Sequence, residues 1–224
     1  RSYSVTGVQT CALPISSPTG FTIMGGNVYF VADDGSGVKL FKTDGTTQGT
    51  LEVKPASGQM NDPAYLCAAG KLVYFSANNG TEGYELWKTD GTQTGTVMVK
   101  DIDLGAGSSH PRQLTYCNNT LYFTAHDGSG MSREGKAGRE IWKSQGTALT
   151  TLMVKDIVTQ STHAFDTNFE NQKQMASVGT FFYFVADDGA TGYELYKTDG
   201  TAANTKRLTN ADKSIHTLDR KSVV

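Results

Sequence analysis

Apolar residues along this chain fall in short runs divided by turns rich in Gly, Asp, Asn and Thr. Several runs do not alternate. Val28-Tyr29-Phe30-Val31 and Phe181-Phe182-Tyr183-Phe184-Val185 are apolar at every position, the pattern of strands buried on both faces. The aromatic pairs Tyr29-Phe30, Tyr74-Phe75, Tyr122-Phe123 and Tyr183-Phe184 set a common register, in which Pro63 to Phe75 aligns with Pro111 to Phe123 without a gap and Pro18 takes the same place. Each unit then predicts four strands. In the second they are Ala64 to Ala68, Leu72 to Ala77, Tyr84 to Lys88 and Thr96 to Lys100.

A second landmark recurs with the same beat: Lys39 to Thr46, Glu85 to Thr92, Glu140 to Thr147 and Glu194 to Thr201. Measured at Asp44, Asp90, Gln145 and Asp199, the period is 46, 55 and 54 residues. Four short strands per unit of this length predict an all-β chain of four consecutive four-stranded antiparallel blades of an incomplete β-propeller. A two-sheet sandwich would leave polar outer faces on its strands and would not explain the return of one segment. The blades are expected at 16–60, 61–109, 110–169 and 170–213, with 214–218 opening a fifth. Uncovered first and last sheets make such an arc prone to association.

Within the recurrent segment, Asp90-Gly91 suits a tight reversal, because both residues tolerate positive φ and Asp can bond its own backbone. A second Gly, Gly49 or Gly95, becomes Asn204 in the fourth unit, which predicts a left-handed position. The third unit carries Gln145 and Thr150 instead and predicts a different hairpin.

The two ends read differently. Val5 to Ile15 reads in frame as the translation of a widely used sequencing adapter, and Asp219 to Val224 resembles its partner. Residues 1–15 and 219–224 are therefore set aside as scars of assembly, leaving 16–218 as a piece of something longer.

Setting aside Arg1, Arg220, Lys221 and Asp219 leaves 17 of the 20 basic and 21 of the 22 acidic side chains, a net charge of about −4. No basic block is present, so nucleic acid and anionic membrane are not expected partners. No apolar run reaches the roughly 18 residues of a membrane span. Of the three cysteines, Cys11 lies in the adapter-like end, and Cys67 and Cys117 sit at different registers, so no disulfide framework is indicated.

Glu85-Leu86-Trp87-Lys88-Thr89-Asp90-Gly91-Thr92, followed by Gly95-Thr96 and Val99-Lys100-Asp101-Ile102, resembles the ELWxxDGT repeat family of large bacterial surface and secreted proteins. The fourth unit keeps the pattern with Tyr196 for Trp; the first has Lys39 and Phe41 in place of Glu and Trp; the third keeps Glu140-Ile141-Trp142 and Val154-Lys155-Asp156-Ile157. The resemblance implies an extracellular or cell-surface, hyalin-like or adhesin-like propeller repeat without a catalytic set. Its partners would be an extracellular protein or glycan, together with further blades of the same parent chain. The rival readings are a propeller hydrolase or lyase, which needs non-repeated acids or an Arg cluster near the axis and finds only Arg133 and Arg139 as unit-specific basic residues, and a spacer that binds nothing.

Two insertions mark a face. From the aromatic Phe to the recurrent Lys is 13 residues in units two and four but 20 in unit three, and the link from Ile157 to Gln172 is six residues longer than that from Ile102 to Pro111. In a four-stranded meander both emerge on one side, where ligand loops of repeat scaffolds gather. Met131, Arg133, Glu134, Lys136, His163 and Phe165 are the candidate ligand contacts. On the same side, Asp33, Asp34, Asp187 and Asp188 either hold Ca²⁺ or form hairpins, since paired carboxylates suit a hard cation and Asp-Gly suits a turn; no other cofactor is called for. Glu85, Glu140 and Glu194 recur, which points to building the repeat rather than to chemistry. The same argument assigns Trp87, Trp142 and Phe41 to packing between blades.

Overall fold

The computed structural model describes residues 14–128, 138–158, 164–165 and 175–209. They form four four-stranded antiparallel sheets, each a simple meander. The first holds β1 (Ser16–Met24), β2 (Asn27–Asp33), β3 (Val38–Thr43) and β4 (Leu51–Glu52); the second holds β5 (Asn61–Ala69), β6 (Leu72–Asn78), β7 (Tyr84–Thr89) and β8 (Val97–Lys100). The third holds β9 (Arg112–Cys117), β10 (Thr120–Ala125), β11 (Glu140–Ser144) and β12 (Leu152–Lys155); the fourth holds β13 (Met175–Val178), β14 (Phe181–Asp187), β15 (Tyr193–Thr198) and β16 (Lys206–Arg207). Among the described residues the helical content is a single 3-10 turn, Ala148–Thr150. The adapter-like ends as far as Leu13, the segment 214–218 and residues 219–224 lie outside the described residues.

The sheets follow one another face to face, with β5 against β1, β9 against β5 and β13 against β9. First strands therefore neighbour first strands, as at the centre of a β-propeller, and the molecule is four consecutive propeller blades. Strand periodicity explains the doubly apolar runs, because successive side chains point to opposite faces. On β2, Tyr29 and Val31 join Leu40 and Val53 in a cluster with Phe75, Ala77 and Trp87 of the second blade. The intervening Phe30 and Ala32 turn the other way, onto Phe41. The next junction repeats the scheme, with Tyr74, Leu86 and Val99 against Phe123, Ala125 and Trp142. Each large side chain removed from water in such a seam contributes about 1.5–3 kcal/mol, so the blades are held by the seams between them.

The first strands are kinked. Asp62 and Tyr65 on β5 have φ of 49° and 58°, and the equivalent His110 and Gln113 have 45° and 53°. Each pair brackets a Pro-x dipeptide, and the β5–β6 register shifts there. Left-handed backbone at residues with a Cβ is costly, of the order of 1–3 kcal/mol each, and collects where function or topology demands it.

Candidate functional site

The recurrent segment is a joint between blades. Its Asp carboxylate closes the turn: Asp44 Oδ1 accepts from Thr46 N and Oγ1 at 2.9 and 2.7 Å, Asp90 from Thr92 at 2.8 and 2.7 Å, and Asp199 from Thr201 at 2.9 and 2.7 Å. The turn Gly has φ of 94°, 90°, 92° and 93° at Gly45, Gly91, Gly146 and Gly200. From the preceding blade the recurrent Lys reaches its carbonyl: Lys42 Nζ donates to Gly91 O at 2.8 Å, Lys88 to Gly146 O at 2.7 Å and Lys143 to Gly200 O at 2.7 Å. The aromatic Tyr of that blade presses on the same Gly, so a Cβ at Gly91, Gly146 or Gly200 would meet the hydroxyl of Tyr29, Tyr74 or Tyr122.

Two expectations about this turn are corrected. Gly49 and Gly95 do not have positive φ. They lack a side chain because a Cβ at either would lie inside the carboxylate of Asp44 or Asp90. Asn204 stands there not as a left-handed residue but as a donor, its Nδ2 binding Asp199 Oδ2 at 2.6 Å. In the third blade Gly146 keeps the common φ, and Thr150 supplies the oxygen that Gln145 does not. Its Oγ1 accepts from Gln145 N and Thr147 N, each at 3.3 Å, and the turn tightens into the 3-10 turn Ala148–Thr150.

The recurrent glutamates are buried fasteners. Glu85 accepts from Ile102 N at 2.9 Å, Ser109 N at 2.8 Å and Ser109 Oγ at 2.6 Å, which ties the link between blades to the start of β7. Glu140 accepts from Ile157 N at 3.0 Å. The backbone of Val158 also faces this carboxyl, but Ala164, the counterpart of Ser109, offers it no hydroxyl. Glu194 bonds Thr209 Oγ1. Burial outweighs these bonds and pushes the Glu85 carboxyl up to about 7 and that of Glu140 to about 8. Trp87 and Trp142 are buried in the seams between blades, whereas Phe41, also buried, packs on the other face of the first blade with Phe30 and Ala32.

The four candidate calcium ligands sit in turns. Asp33 Oδ1 accepts from Gly35 N and Asp187 Oδ1 from Gly189 N, both at 2.8 Å. Asp34 Oδ1 takes the N–H and hydroxyl of Ser36 at 2.8 and 2.7 Å, which hold its carboxyl below the usual range. Asp188 Oδ1 takes Ala190 N and Thr191 N, and its Oδ2 pairs with Arg207 at 2.7 Å. The two pairs lie in different blades, and no group of three or more metal-ligating side chains occurs among the described residues. The hairpin role accounts for one oxygen of each carboxylate.

Of the candidate ligand contacts, Met131, Arg133, Glu134, Lys136 and His163 lie outside the described residues. Phe165 is not a surface contact. It is 4% exposed and its ring lies 5.8 Å from that of Phe184, so it belongs to the core of the third and fourth blades. The sequence placed it in an inserted loop, whereas its apolar ring packs into the core beside Phe184.

A cluster that the sequence did not assemble, although it marked Arg139 as specific to one unit, lies on the expected face, where links enter β5 and β9 and the loop enters β7 and β11. The Arg112 guanidinium stands 5.7 Å over the ring of Tyr65, which is 43% exposed. Tyr84 Oη donates to Asp62 Oδ2 at 3.2 Å, and its ring stacks on His110 with centroids 5.2 Å apart. Behind them Arg139, 3% exposed, donates to His110 O at 2.9 Å and to Thr124 Oγ1 at 3.1 Å. Burial, and then the charge of Arg112, lower the Arg139 guanidinium to about 9, which leaves it cationic at neutral pH. Burial and the two arginines hold His110 below its usual value, hence neutral. An exposed aromatic, a cation over it and strained backbone beneath suit recognition of a polar ligand by stacking and hydrogen bonding. The signal was in the alignment of the units: Arg112 stands where the second unit has Ala64, and Arg139 where units two and four have Tyr84 and Tyr193.

No family model matches the sequence, and no curated protein matches it. Solved structures do. A puromycin hydrolase complexed with PGG superposes with a TM-score of 0.55 at 13% identity over 88% of this chain, and a second structure of puromycin hydrolase with 0.54 at 14% identity over 85%. The chain spans 30% and 28% of the length of those proteins. At such identity the likeness is one of fold.

Proposed function

We propose that this chain is a non-catalytic β-propeller module of the ELWxxDGT type that acts outside the cell or at its surface, binding a protein or glycan within a larger adhesive protein. The observation that carries the reading is a contrast between two sets of side chains. The acids that recur, Glu85, Glu140 and Glu194, are buried and engaged with their own blades. The groups peculiar to one junction, Tyr65, His110, Arg112 and Arg139, gather on the side where the links enter β5 and β9. A repeat scaffold with one differentiated face is suited to binding.

The experiment is a glycan and extracellular-matrix protein array probed with the full chain and with Tyr65→Ala and Arg112→Ala. The expected result is a ligand bound by the parent and held at least tenfold more weakly by both variants, with melting temperatures unchanged. Equal binding by all three would move the site elsewhere, and binding of nothing would favour the spacer. The hydrolase reading draws on the fold shared with puromycin hydrolase. A panel of chromogenic peptide and glycoside substrates, turned over by the parent chain, would put that reading in its place.

A further inference from the structure

The chain carries more acidic than basic side chains, and the lysines of its joints are engaged by carbonyls, Lys42 by Gly91, Lys88 by Gly146 and Lys143 by Gly200. Arg139 is a different kind of cation. It is 3% exposed, and its guanidinium donates to oxygens that are all neutral: the carbonyl of His110 at 2.9 Å, the carbonyl of Thr124 at 3.3 Å and Thr124 Oγ1 at 3.1 Å. Its Nε is buried with no partner, and no carboxylate pairs with it, among the described residues. The charge that Arg139 does meet is that of Arg112, which has the same sign. An ion withdrawn from water is ordinarily met by an opposite charge, because desolvation is otherwise uncompensated.

The groups around it narrow the ligand further. The Arg112 guanidinium lies over Tyr65, whose ring stays open to solvent. His110 is held neutral and adds no charge. Asp62 is the acid of the rim, exposed and accepting from Tyr84 Oη, and in contact with water its charge is screened, whereas that of buried Arg139 is not. An extended peptide would add to a regular strand edge. The edge strands β5 and β9 are instead broken by left-handed residues, Asp62 and Tyr65 on one and His110 and Gln113 on the other, and the register of each shifts, so neither offers an even ladder to a further strand. A sugar ring needs no ladder. It can lie on an exposed aromatic, and an oxyanion on it can take two guanidinium N–H groups together.

We infer, resting on the reading that this cluster binds, that its ligand is an acidic saccharide, whose carboxylate or sulfate meets the Arg112 guanidinium while its ring lies on Tyr65. Arg139 is a positioning residue. It holds His110 and Thr124 in place and acts on the anion through the interior, where the low dielectric leaves its charge little screened. Asp62 works the other way and sets an upper bound on affinity.

The test is calorimetric titration of the full chain with oligogalacturonate, oligomannuronate and sulfated dextran oligomers, each beside its neutral counterpart, the methyl esters and plain dextran. At least one acidic probe is expected to bind at least tenfold more tightly than its counterpart and to weaken as NaCl is raised; the uronate and sulfate arms tell which oxyanion is taken. Arg112→Ala should lose at least tenfold, and Arg139→Gln at least fivefold with Arg139→Lys restoring most of it. Asp62→Asn, a change suited to a left-handed position, should tighten binding about twofold. A neutral counterpart held as tightly as the acidic probe, or weaker binding by Asp62→Asn, would overturn the inference while leaving the binding role in place. Capture of a poly-Glu peptide and of no saccharide would overturn the choice of a sugar, and equal losses in Arg139→Gln and Arg139→Lys would overturn the part given to its charge. Silence of every probe would sink the acidic saccharide, and the binding role falls with it only if the glycan and matrix-protein array is silent too.

Discussion

Lys88 Nζ donates to the carbonyl oxygen of Gly146, 58 residues away, at 2.7 Å, and that bond is the polar centre of the joint between the second and third blades. It explains why a Lys and a Gly recur together in every unit. The Gly must turn at positive φ and must also be bare, since the Tyr74 hydroxyl lies where a side chain would begin.

Lys88→Met is expected to destabilise the chain by about 1–3 kcal/mol, because it strips a partner from a carbonyl in a partly buried joint. Urea unfolding measures the loss. An unchanged midpoint would mean that water replaces the ammonium.

Gly45→Ala and Gly146→Ala separate the two demands on the turn glycine. Both changes impose left-handed strain of roughly 1–2 kcal/mol, but only the second drives a methyl into Tyr74. Gly146→Ala should therefore lose at least about 1 kcal/mol more than Gly45→Ala. Equal losses would show that the neighbouring blade gives way freely.

The partnership of Asp90 with Gly95 can be exchanged for that of Gln145 with Thr150. Gly95→Thr alone places its Cβ inside the Asp90 carboxylate and should be strongly destabilising. Combined with Asp90→Gln it recreates the third-blade turn and should recover most of the loss. The coupling expected in a double-mutant cycle is about 1–3 kcal/mol; additive effects would refute the exchange.

Stability should fall as pH rises across neutrality. The Glu85 and Glu140 carboxyls are pushed up to about 7 and about 8 in the folded chain but return to the ordinary 4.5 when unfolded, so the folded state holds more protons between those limits. Their contribution is fully present below about pH 4.5 and is lost as pH passes through the folded values. For Glu140 the change is on the order of 5 kcal/mol, at about 1.36 kcal/mol for each of about 3.5 pH units. Urea midpoints at pH 5, 7 and 9 should decline, and Glu140→Gln should flatten the decline.

Calcium is expected to leave the melting temperature unchanged, within about 1 °C, since Asp33, Asp34, Asp187 and Asp188 each commit an oxygen to their own turns. A thermal shift with millimolar CaCl2 that disappears in Asp188→Asn would instead establish calcium binding at that turn.

Much of this was legible in the sequence, for a physical reason. A strand period of two and turn chemistry are local, so Tyr29-Phe30 and Asp90-Gly91 announced strands and hairpins, and their recurrence announced blades. Recurrence also separated scaffold from specialisation: it assigned Glu85 and Trp87 to the framework before their burial was seen. Tertiary structure decided whatever depends on which blade lies next. The reason for Gly95 is the Asp90 carboxylate packed against its α-carbon, and no propensity reveals it. Phe165 reads as loop from its neighbours along the chain and becomes core because Phe184 waits beneath it. Tyr65 and Arg112 stand 47 positions apart in sequence, and only the apposition of β5 and β9 brings the cation over the ring. Local chemistry fixed the elements, whereas the seams between blades fixed what each side chain is for.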